Sequence, residues 1–134
     1  MSEAQIAIIS ESILASVNAD LAESEAKQSR AREIMLLGFA LALCQVLDGL
    51  LTALGIKHFG IAIEANLLLR WAMNEVGDMT ALLLFKCAAI LIVLSLCYLA
   101  HYVHWVQLAM KMLVLVYVFA AILPWGYILI GRII

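Results

Sequence analysis

A handful of polar side chains interrupt a sequence that is otherwise apolar, and their spacing suggests chemistry. Gln45, Asp48 and Thr52 fall at i, i+3 and i+7 of one long apolar run, so on a helix they share a face and form its only polar stripe. Glu64 and Asn66 follow in a shorter stretch, and Lys86 stands inside the next apolar run. A charged residue at the depth of a bilayer costs at least about 2.5–3.5 kcal/mol, so such residues face a bundle interior and have partners. Asp48 and Glu64 offer an acid/base pair. With Lys86 they offer instead the lining of a path for protons, ions or a small solute. The competing reading is architectural: an ion pair or hydrogen-bond cluster that fixes helix register, since polar residues also hold membrane helices together.

Depth selects the partners. If the first apolar helix ends near Ile56 and the next begins near Met79 at the same membrane face, a rise of 1.5 Å per residue puts Asp48 about 12 Å and Lys86 about 10 Å below that face. Opposite charges at matched depth on consecutive antiparallel helices predict an ion pair, which offsets much of the cost of burying each one. Glu64 is the rival partner for Lys86, and the lysine reaching the interface alone is the plainer alternative.

A second constellation is Cys97, His101 and His104, whose spacings of four and three share one helical face. A thiolate and two imidazoles suit Zn²⁺ or Cu²⁺. The same stretch, with Tyr98, Tyr102 and Trp105, reads more simply as an interfacial aromatic belt that includes His101 and His104. No GxGxxG, P-loop, GxSxG or HExxH pattern occurs, and no cofactor is expected.

The elements that position these residues follow from composition. Hydrophobic residues make up 66% of the chain and charged ones 13%, against about 25% charged in soluble domains; mean hydropathy is +1.08. Too few charges remain to cover a water-facing surface. The expected fold is all-α: an integral membrane bundle of about three transmembrane helices, with a re-entrant or interfacial helix and an amphipathic N-terminal helix. The net charge of −2 leaves no basic footprint, so nucleic acid is not an expected partner. The three cysteines lie within apolar runs and make neither a disulfide framework nor a CxxC pair.

Residues 1–32 read as an acidic arm and 33–134 as the bundle. In the arm Ile6, Ile9, Ile13, Val17 and Leu21 recur at spacings of three and four, with Glu3, Glu11, Asp20, Glu23 and Glu25 on the remaining surface. An acidic helix is unlike the Lys- and Arg-rich helices that lie on membranes. Its stripe is expected to pack against protein, in its own bundle or in another copy, the plainer alternative being a frayed helix lying loosely near the membrane. No Lys or Arg precedes Lys27 and no apolar core precedes the arm's end, so insertion through an uncleaved first helix is expected.

Spans are predicted at about 34–56, 80–100 and 112–131, each near the roughly 20 residues that cross a core of about 30 Å. Pro124 is expected to kink the third. Residues 59–76 carry Glu64, Arg70 and Glu75 and are too short and polar for an ordinary span, which predicts the re-entrant or interfacial helix. Lys27, Arg30 and Arg32 cluster before the first span and predict a cytoplasmic N-terminus. Glycines 49, 55, 60 and 77 read as close-packing or helix-end positions.

Taken in order, Gln45-Val-Leu-Asp48-Gly-Leu-Leu-Thr52, then Gly60, then Glu64-Ala-Asn66-Leu-Leu-Leu-Arg70, then Lys86 resemble a family of short bacterial and archaeal membrane proteins, the domain of unknown function DUF5658. Its pattern is an aspartate and a threonine four apart, a glycine, a Glu-x-Asn-Pro signature and an intramembrane lysine. The likeness covers about residues 40–95, and Leu67 stands where the family usually has proline. It implies a multi-pass protein of the prokaryotic inner membrane and carries no reaction with it.

Three function classes follow. The first is a binding or assembly component that forms a homo-oligomer or joins a larger membrane complex in the lipid bilayer. The second is an oligomeric conduit lined by Asp48, Glu64 and Lys86. The third is an intramembrane enzyme.

Overall fold

The computed structural model describes residues 1–133. Those residues are almost wholly helical, with no strand among them. The helices are α1 (Glu3–Phe59), α2 (Leu67–Val76), α3 (Asp78–Ala100), α4 (His104–Tyr117) and α5 (Leu123–Ile133), and a short 3-10 turn (Ile61–Ile63) stands between α1 and α2. The chain divides into two units, residues 1–33 and 34–134.

In the first unit, the helix starts at a reciprocal cap: the Ser2 N–H donates to Gln5 Oε1 at 3.0 Å, and the Gln5 N–H donates to Ser2 Oγ at 3.4 Å. No glycine or proline occurs before Gly38 to end the helix. Lys27 pairs with Glu23 one turn earlier at 2.7 Å. The stripe from Ile6 to Leu21 is exposed along its whole length within this unit.

Among the described residues three helices are long and apolar enough to cross a membrane: α1, whose residues 34–59 belong to the second unit, the 23-residue α3, and the 29 residues His104–Arg132. The last begins well before the predicted Met112. Gln107 and Lys111 make that segment look like a loop in sequence, yet Val106, Gln107 and Met110 are buried and hold α4 in place. α3 likewise starts at Asp78, two residues before the predicted Thr80. Ahead of Pro124, residues 118–122 form a π-helical turn in which the Leu123 N–H reaches the carbonyl of Val118. Proline brings no N–H of its own, and a widened turn accommodates its ring next to the missing bond.

The stretch 59–76 is not the single helix expected. Gly60 adopts φ 84°, a conformation open to glycine, and ends α1. The 3-10 turn and an extended Glu64 follow, and only the ten residues of α2 are α-helical. Ten residues rise about 15 Å, half of a hydrocarbon core. Gly77, at φ 95°, separates α2 from α3.

Packing divides into two apolar layers. Ile34 and Leu41 of α1 meet Val93 and Ala100 of α3 and Val106 and Met110 of α4. Ile56 of α1 meets Leu69, Ala72 and Met73 of α2 and Ala81 and Leu82 of α3. The second half of α1 and α3 are therefore antiparallel, and on both helices the polar positions fall between the layers.

Candidate functional site

All six polar residues singled out in the sequence line one cleft of about 340 Å³. Gln45, Asp48 and Thr52 come from α1, Glu64 and Asn66 from the connection into α2, and Lys86 from α3. Gln45 and Thr52 are 3% exposed and Glu64 8%. Such buried polar groups require partners.

The Lys86 ammonium donates to Asp48 Oδ2 as an ion pair, and lies 3.5 Å from Gln45 Oε1. Glu64 is not its partner. Gly49, one residue after Asp48, faces the lysine stem, where an added Cβ would make ordinary contact at 3.4 Å.

Glu64 and Asn66 are first a turn and a cap. Glu64 Oε1 accepts the Asn66 N–H at 2.8 Å, and Asn66 Oδ1 accepts the N–H groups of Leu68 and Leu69 at 3.1 and 3.3 Å. Asn66 thus caps α2. Leu67 is the first helical residue, where a proline fits without loss because that amide has no helical carbonyl to reach. Leucine in place of the usual proline leaves the cap intact.

The cleft also has walls that no polar pattern announced. Tyr117 and Trp125 line it from the third apolar segment, with Ala120 and Ala121 between them. The signal was present, as Tyr117, Ala121 and Trp125 recur at i, i+4 and i+8. It was hidden because aromatic residues in an apolar span read as ordinary packing. Gly55 seats Trp125: a Cβ at that glycine would lie 2.0 Å from the indole Cζ3.

The structure does not gather Cys97, His101 and His104 into one ion-holding group. Among the described residues no group of three or more His, Cys, Asp or Glu could hold an ion. The helix ends at Ala100, and His101 lies in the turn that leads to His104 at the start of α4, so the three do not lie on one continuous helix. Cys97 is turned to Gly38, where a Cβ would approach its Sγ to 2.4 Å. Both histidines are exposed, and the neighbouring rings of Tyr98 and Tyr102 meet at a tilt of 55° with centroids 5.2 Å apart.

A family model, the Domain of unknown function (DUF5658), matches residues 39–130. The chain belongs to that family. No curated protein and no solved structure matches it. The DUF5658 match reaches well past Lys86 and takes in Tyr117 and Trp125, so the whole cleft lies within the family region.

Proposed function

We propose that this protein is a multi-pass protein of the prokaryotic inner membrane, N-terminus cytoplasmic, that serves as a binding component of a homo-oligomer or larger membrane complex. Its working site is the polar cleft. The observation that carries this reading is convergence: polar residues from three separate segments line one cavity between apolar layers. An architectural cluster needs only to satisfy its own groups, whereas a cleft of about 340 Å³ leaves room for something else. The apolar stripe of the arm supplies an association surface.

Cysteine labelling tests the site. With Cys44, Cys87 and Cys97 replaced by alanine, a cysteine at Ala121 in the cleft is expected to react with a small hydrophilic reagent, and one at Leu84, exposed on α3, is not. Equal inertness of both positions makes the cleft dry and ends the reading. Mass measurement in detergent before and after removal of residues 2–25 tests the arm, because every basic topology signal from Lys27 onward is kept. An unchanged mass removes its role in association.

A second reading, a conduit for protons, ions or a small solute, draws support from Asp48, Glu64 and Lys86 lining the same cavity. It requires an oligomer, since three spans enclose no pathway alone. Flux in proteoliposomes that Glu64→Gln abolishes is its test.

A further inference from the structure

The charges of the cleft do not balance. Its lining holds two carboxylates, Asp48 and Glu64, and one cation, Lys86. Lys86 is paired with Asp48. Glu64 has no such counter-ion: its Oε1 takes the Asn66 N–H, and among the described residues its second oxygen has no hydrogen-bond donor. Glu64 therefore presents a carboxylate to the cleft with no cation beside it, which favours a positively charged occupant.

The walls offered to whatever matches it are aromatic. Tyr117 and Trp125 line the same cavity, and aromatic faces attract cations through their quadrupoles, most strongly where water is excluded. An anion would meet the negative charge of Glu64, and the lysine ammonium that could offset it is already engaged by Asp48. Size bounds the ligand as well. At about 340 Å³ the cleft lies at the small end of ligand sites, which run from about 300 to 1,000 Å³.

We propose that the cleft binds a small organic monocation of the alkylammonium class, its charge against Glu64 and its alkyl groups against Tyr117 and Trp125. This rests on the cleft being the working site. Lys86 remains on Asp48 in the occupied state, so binding adds one charge and displaces none.

The experiment uses the full chain in detergent. Trp71 and Trp105, both exposed, are replaced by phenylalanine, which leaves Trp125 as the sole tryptophan reporter. Tetramethylammonium chloride is titrated at constant ionic strength, with sodium chloride, glycine betaine and sodium acetate as comparisons. A saturable change in Trp125 emission with tetramethylammonium alone is expected. Glu64→Gln keeps an oxygen for the Asn66 N–H and is expected to weaken binding about tenfold or more, the effect of about 1.4 kcal/mol. Tyr117→Leu, followed by calorimetry, is expected to weaken binding without loss of fold. Glu11→Gln, in the arm, is expected to leave it unchanged. A saturable response to betaine or acetate in place of tetramethylammonium keeps the cleft as a site and overturns the cation. No response to any of the four overturns both. An equal response to sodium, or binding indifferent to Glu64→Gln, overturns the proposal as well.

Discussion

The ammonium of Lys86 on α3 is paired with the carboxylate of Asp48 on α1, 38 residues earlier in the chain, at the level between two apolar layers. Their side chains are 19% and 15% exposed, so each is largely removed from solvent. Removing one partner of such a pair leaves an unmatched charge, at a cost near the low end of about 3–5 kcal/mol, whereas neutralising both is often tolerated. Asp48→Asn and Lys86→Met are each expected to lower the unfolding midpoint in detergent, and the double variant to regain much of the loss. Strictly additive losses would show that the pair contributes no coupling.

The Asn66 cap separates two roles of the Glu-x-Asn motif. Asn66→Ala removes both side-chain bonds to the α2 amides and is expected to cost about 1 kcal/mol, while Asn66→Asp keeps them. Leu67→Pro restores the usual family residue at the first helical position. It is expected to be neutral or stabilising by up to about 1 kcal/mol, because Asn66, at φ −78° and ψ 105°, already has the extended conformation that precedes proline. Thermal unfolding in detergent checks all three, and a destabilised Leu67→Pro would contradict the assigned cap.

Gly55 and Gly126 make a matched pair of tests. A methyl at Gly55 meets the Trp125 ring, whereas one at Gly126 meets nothing within 4 Å. Gly55→Ala is expected to destabilise by about 1–3 kcal/mol through overpacking and to shift Trp125 emission. Gly126→Ala is expected to stabilise slightly, up to about 1 kcal/mol, through helix propensity. Equal stability of the two variants would show that the indole does not rest on α1.

In the arm, the hydrogen bond from Lys27 and then its charge hold the Glu23 carboxyl below its ordinary value of 4.5. A depressed folded-state value means that the pair's contribution is complete above 4.5 and is lost as pH falls through the lower, folded-state value. Both groups are exposed, so the effect is local and salt-sensitive. NMR titration of the Glu23 carboxyl is expected to give a midpoint below 4.5, and Lys27→Met to raise it. A Glu23 midpoint unmoved by Lys27→Met would dismiss the pair.

The matched depths of Asp48 and Lys86 were calculable from residue number alone, because a helix converts sequence distance into height at a fixed rate. Helical character was legible for the same kind of reason: 66% apolar residues in runs of about twenty admit few other backbones. The polar stripe of Gln45, Asp48 and Thr52 was equally visible, since periodicity within one helix is local. Tertiary structure decided whatever depends on how separate segments meet. The start of α4 at His104 reflects burial of Val106 and Met110 against α1 and α3, which outweighs the polar look of Gln107 and Lys111. Cys97, His101 and His104 are divided between α3, the turn and α4 because the helix stops at Ala100, which their spacing does not announce. Trp125 became a wall of the cleft beside Tyr117 with its ring seated on Gly55, 70 residues earlier. Local chemistry is written in order along the chain; a cavity exists only between segments that the chain brings together.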